Sequence, residues 1–278
     1  MTMLTPLETI LPVRALIGLA CFTSMLAWSS AQADEEIAIQ TPTYVVRRAA
    51  CPIVVDGRLS EAAWRATPEV GPFTFAWYKS GPKEPTQARL LWDDEHLYAA
   101  FFCHDAHVSA KFTRRDEPVY RDDCVEVFCA PNPLRGEAYF NFEMNARAML
   151  LDQHHPRGRF SGLDQEWNSR GVRIATHVMG TLNDDDDEDL GWTLEVAIPW
   201  ENFAGVARRL PPLAHDRWRL NLNRCGGDTN PQYSQWSPSM TTKPDFHRLE
   251  SFGEIVFSNE LAGATLAPQR PFRRQRRW

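Results

Sequence analysis

Tyr139-Phe140-Asn141-Phe142-Glu143-Met144-Asn145 reads as one strand with two chemically opposite faces. Successive strand side chains point to opposite sides, so Phe140, Phe142 and Met144 share one face and Asn141, Glu143 and Asn145 the other. Trp218 to Arg224 repeats the pattern, with Trp218, Leu220 and Leu222 apolar and Arg219, Asn221 and Asn223 polar. Trp192, Leu194, Val196 and Ile198 share a face until Pro199 ends the run. In Cys124 to Cys129, Val125 and Val127 oppose Glu126 and Phe128.

Working outward, Gln87–Trp92 and Leu97–Cys103 are apolar runs joined by Asp93-Asp94-Glu95-His96, a hairpin signature. The spacing predicts one short helix, Ser60 to Arg65, with Ser60 as its cap and Glu61 in its first turn. Many strands without long intervening helices indicate an all-β, antiparallel sandwich of jelly-roll or immunoglobulin-like type, in one domain. No internal repeat is present.

The flanks differ in character from this body. Arg14, the apolar run Ala15 to Trp28 and Ala31-Gln32-Ala33 read as an export signal over residues 1–33, cleaved near Ala33. The run is too short and too interrupted for a membrane span, so a secreted or periplasmic protein is expected. Residues 34–43 read as a linker, 44–258 as the sandwich and 259–278 as a disordered Arg-rich tail that could touch the envelope. The net charge is -6, although residues 261–278 hold five Arg and no acid. An acidic body argues against nucleic acid as a partner. Cys51, Cys103, Cys124, Cys129 and Cys225 remain after cleavage, which permits one or two disulfides of undetermined connectivity.

No nucleophile elbow, HExxH pair, P-loop or dinucleotide fingerprint stands in its proper context, and the expectation is a non-catalytic protein. The chain has 10 Trp. Trp64, Trp92, Trp192 and Trp218 sit on apolar faces and are read as core. Tyr120 and Phe246 instead lie in polar, proline-containing loops, where an exposed ring wastes apolar area unless a ligand covers it. Apolar sugar faces stack on such rings, and sugar hydroxyls need fixed amides and carboxylates. The acidic run Asn183 to Asp189 is read as a solvated loop tip, with calcium as its functional alternative.

Several ordered segments carry a resemblance. They are Val55-Asp56-Gly57 with Glu61 and Trp64, Leu91 to Tyr98, Asp122 to Phe128, Gly191 to Trp200, Asn221 to Arg224, Trp236-Ser237-Pro238 and Phe252-Gly253. Together they resemble the family 9 carbohydrate-binding modules over about residues 44–258. The resemblance implies a β-sandwich that holds a saccharide or polysaccharide between two aromatic rings, here Tyr120 and Phe246. It implies Glu126 as a hydroxyl acceptor, Asn221 and Asn223 as amide partners, and Glu143 and Trp236 at the same site. Glu143 stands where a characterised sugar binder has Arg. No cofactor is required, but structural calcium at Asp105 and Asp122 is implied as a possibility. Related sandwiches hold haem in electron-transfer proteins, so Met144, Met149, Met179 and Met240 with His104 or His247 form an alternative ligand set. A structural surface protein with a degenerate pocket is a third reading.

Overall fold

The strong side-chain alternation becomes strand in the computed structural model, which describes residues 41–159 and 162–263. The strands are β1 (Thr43–Ala49), β2 (Thr86–Trp92), β3 (His96–Cys103), β4 (Cys124–Ala130), β5 (Tyr139–Asn145) and β6 (Leu150–His155). They continue with β7 (Arg173–Met179), β8 (Gly191–Pro199), β9 (Arg217–Cys225), β10 (Tyr233–Gln235) and β11 (Gly253–Ala262). The expected export signal, linker residues 34–40 and tail residues 264–278 lie outside the described residues. Residues 259–263, read as the start of the tail, are described: β11 continues through Ala262.

Hydrogen bonding runs in the order β6-β5-β4-β9-β11-β1-β2-β3-β8-β7, with β10 beside the C-terminal half of β9. The pairs are antiparallel except those of β1, which is parallel to both β11 and β2. A register shift between Val46 and Arg48 marks the point where β1 passes from one layer to the other, as Arg47 and Arg48 pair with Leu91 and Trp92. The apolar faces of the two layers meet in one core. Val125, Val127, Phe140, Phe142, Leu220 and Leu222 come from one side, and Leu90, Phe101, Trp192, Leu194 and Val196 from the other. Each such side chain contributes about 1.5–3 kcal/mol when fully buried. Trp64, Trp92, Trp192 and Trp218 are all buried, as read from their apolar faces.

The helix is α1 (Ala62–Ala66), shorter and later than expected. Glu61, not Ser60, occupies the cap position, and no side chain caps the helix. The Glu61 carboxylate is instead taken by the Val54 N–H at 3.2 Å. Glu195 of β8 organises this region by accepting from the Asp56 and Gly57 N–H groups (3.0 and 2.7 Å) and from Trp64 Nε1 (2.7 Å). Gly57 has φ +81, and a Cβ there would lie 2.7 Å from the Thr176 carbonyl carbon. Only glycine meets both conditions.

The acidic run joins β7 to β8. Asp184 to Glu188 are exposed as expected, but Asp189 is buried, accepting from the Val108 and Thr181 N–H groups at 2.7 and 2.6 Å. The loop is therefore pinned at its end rather than solvated throughout. All five described cysteines are free thiols, Cys51 exposed and the others buried. The expected disulfides are not formed among them. Among the described residues, no helix is long and apolar enough to cross a membrane.

Candidate functional site

The outer faces of β4, β5, β6 and β9 form the floor of a cleft. Register fixes its rows. Glu143, Glu126 and Asn223 lie side by side across β5, β4 and β9, and Asn141, Phe128 and Asn221 form the next row. Leu151 and Gln153 extend these rows onto β6. Because alternation is strict, the residues that put Phe140, Phe142, Val125 and Val127 into the core turn this polar set outward.

Two hydrogen-bond relays converge on the carboxyls. From one edge, His155 Nε2 lies 3.0 Å from Asn141 Oδ1, and Asn141 Nδ2 donates to Glu143 Oε1 at 2.9 Å. From the other, Gln235 Nε2 donates to Asn223 Oδ1 and Asn223 Nδ2 to Glu126 Oε2, both at 3.1 Å. Glu143 Oε2 is buried with no hydrogen-bond partner. Burial pushes the Glu126 carboxyl up to about 7, although Asn223 and Cys225 oppose the shift. Burial pushes Glu143 well above the usual carboxylate range, and the Glu126 charge beside it adds to the effect. No salt bridge reaches either group among the described residues.

Loops build the walls of this cleft, which encloses about 470 Å³. Tyr120, in the short turn Val119–Arg121 ahead of β4, is 43% exposed. Phe246 comes from the β10–β11 connection and is half-buried, with its ring centroid 5.8 Å from Trp77 and 5.9 Å from Tyr233. Asp245 accepts from Arg159 at 2.6 Å and from the His247 N–H at 3.0 Å. His247 in turn lies 2.7 Å from the Tyr139 hydroxyl, and Tyr139 stacks on His155 with centroids 4.3 Å apart. Burial lowers His155 to about 3 and His247 to about 4, so both rings are neutral near pH 7. The arrangement offers apolar rings, fixed amides and carboxyls to one small polar ligand, within the ~300–1,000 Å³ range of such sites.

Residues 73–257 match carbohydrate-binding family 9. The chain belongs to that family. Its members are non-catalytic binding modules, and the fold agrees with solved family 9 structures. One, from Caldicellulosiruptor kristjanssonii in complex with cellotriose, is 16% identical with a TM-score of 0.52, covering 82% of this chain and 100% of its own. The glucose complex of a family 9 module from the same organism is 14% identical with a TM-score of 0.52, covering 78% and 97%. A Bacteroides uniformis protein inferred to bind carbohydrate is 22% identical with a TM-score of 0.65, covering 79% and 100%. No curated protein matches the chain in sequence.

Within this family 9 chain, Tyr120, Phe246, Glu126 and Glu143 line the same cleft. Asn223 lies behind Glu126 and serves it as a donor. Asn221, at the far end of the second row, and Trp236 do not line the cleft. Asn221 Nδ2 donates to the Ser237 carbonyl at 2.8 Å while its Oδ1 accepts the Ser237 N–H at 3.0 Å, so its amide anchors a loop. Trp236 lies in the core and donates to the Val70 carbonyl at 2.8 Å. Asp105 is ion-paired to Arg224 at 2.6 Å. Asp122 accepts from the Lys111 and Phe112 N–H groups and from Asn145. Protein donors thus take up both acids proposed for calcium, and no group of three or more metal-ligating side chains is assembled among the described residues.

The alternative haem ligands are dispersed over the fold. Met144 faces the core, Met149 packs beside Leu151, Met240 is exposed in a loop, and His104 contacts the Phe102 ring. His247 is on the cleft side, bonded to Tyr139. Sequence reading did not single out Trp77, Tyr233, Arg159, Asp245 or Gln235. Tyr233 and Gln235 belong to a strand of three residues, too short to display a period.

Proposed function

We propose that this family 9 chain binds a saccharide in the cleft and leaves it chemically unchanged. The observation that carries the reading is the convergence of two loop rings, Tyr120 and Phe246, on a floor containing Glu126 and Glu143. Aromatic planes suit the apolar faces of a pyranose, and the carboxyls and the Gln153 amide suit its hydroxyls. The two Glu side chains rise from neighbouring positions of one sheet. The export expected from residues 1–33 would bring such a protein to glycans outside the cytoplasm.

Isothermal titration of the full chain against a panel of mono- and disaccharides tests this. Tyr120→Ala and Phe246→Ala should each weaken binding by about 1–3 kcal/mol with the fold intact. Equal affinity for wild type and both variants would contradict the assignment of the rings.

A further inference from the structure

We infer that the preferred ligand is a saccharide bearing a protonated amine, whose ammonium group sits on Glu126 and Glu143. The inference rests on the saccharide reading of the cleft and adds the chemical class of the sugar.

Glu126 and Glu143 are direct cross-strand partners on the cleft floor, both nearly inaccessible to bulk water. Two carboxyls at this separation repel when ionised, and burial removes the water that would screen them. Proteins ordinarily answer such a pair with an Arg or Lys. Here Arg159, the basic residue lining the cleft, is paired with Asp245 at 2.6 Å. Arg224, next to Cys225 on β9, points to the opposite side of the sheet and is held by Asp105 and Asp123. His155 and His247, which face the same side, are neutral near pH 7.

The hydrogen bonds also leave room for a donor. Glu126 receives one amide from Asn223 and a weak thiol contact from Cys225 at 3.5 Å. Glu143 receives one amide from Asn141, and its second oxygen, in a side chain only 4% exposed, receives nothing. An ammonium group brings three donors and the missing positive charge to one point. A neutral sugar hydroxyl supplies a single donor and no charge. The amine of a 2-amino-2-deoxy sugar meets the demand while its ring stays available to Tyr120 and Phe246.

The test compares glucosamine with glucose and N-acetylglucosamine, and the deacetylated chitin disaccharide with cellobiose, by titration calorimetry on the full chain. At about pH 6.5 an amine of this type is charged, and it should bind about tenfold tighter than the neutral sugars, a difference of ~1.4 kcal/mol. Glu143→Gln keeps the shape but cannot ionise when an ammonium group arrives, and it should bring that ratio down to about one. Glu126→Gln provides a second variant, and thermal melts establish that each is folded. Equal binding of amino and neutral sugars by wild type, still weakened by Tyr120→Ala, overturns the amine assignment and leaves the saccharide reading standing. Failure of every sugar to bind overturns both.

Discussion

One guanidinium nitrogen of Arg224 lies 2.6 Å from Asp105 and 2.9 Å from Asp123, with all three side chains buried between the layers. The two acids are not equivalent. Asp123 also accepts from the Ser109 and Gly227 N–H groups at 2.7 and 2.8 Å. Burial works against its ionisation, yet Arg224 and these donors together hold it below the usual carboxylate range. Burial instead pushes Asp105 up to about 7, against the pull of Arg224. Asp123 is therefore the counter-ion and Asp105 the weaker partner.

Arg224→Ala leaves buried acids without a partner and should destabilise the fold by about 3–5 kcal/mol in urea titration. Asp123→Asn should cost more than Asp105→Asn, because only the former loses a fully engaged carboxylate. The reverse ranking would show that the assignment of charge is wrong.

The cleft floor should cost stability as pH rises. Glu126 is raised to about 7 and Glu143 also lies above the ordinary range of ~4.3. A raised folded pKa gives stability that is fully present below the unfolded value and lost as pH rises through the folded one. His155 and His247 act in the opposite sense, with folded values of about 3 and about 4. Their contribution is present above ~6.5 and lost as pH falls through those values. Between about pH 4.3 and pH 7, where these carboxyls have ionised in the unfolded chain but not in the folded one, the wild-type melting temperature should lose ground with rising pH relative to Glu126→Gln and Glu143→Gln. Asp105 titrates in the same direction, so the slope should shrink rather than vanish.

Trp77 braces Phe246 while lying outside the cleft lining, and it donates to the Thr241 carbonyl at 2.6 Å. Trp77→Ala should weaken saccharide binding less than Phe246→Ala does. The double variant should lose less than the two single losses combined, since both act through one ring. Additive losses in a calorimetric cycle would show that Trp77 works by another route.

Glu195→Ala should detach the segment around Asp56 and Gly57 from β8. It strands two backbone donors and the Trp64 indole, a loss of about 3 kcal/mol. Proteolysis near Asp56 should quicken in step with that loss.

The strands were legible because side-chain parity is local. The alternation in Tyr139–Asn145 places Glu143 on the cleft face without any knowledge of its neighbours, and the same parity places Glu126. Parity says nothing about whether an outward amide meets a ligand or a loop. Asn221 and Asn223 look alike in sequence, yet the Ser237 backbone occupies one and Glu126 the other. Trp236 was misplaced for a similar reason, since only the fold shows its indole turned toward Val70. The parallel partners of β1 are remote in sequence, and nothing in Thr43–Ala49 announces them. Ser60 resembled a cap, but Glu61 holds that position and turns its carboxylate to the Val54 N–H instead.

The parallel seam between β1 and β11 also governs when the domain is able to form. The main-chain groups of Thr43–Val46 find their sheet partners at Glu254–Phe257, some two hundred residues later. A nascent chain emerging from the ribosome therefore holds an unmatched first strand until nearly the whole domain has been synthesised. The seam thus closes only when the last strand is available, and the sheet is completed at the end of synthesis rather than during it.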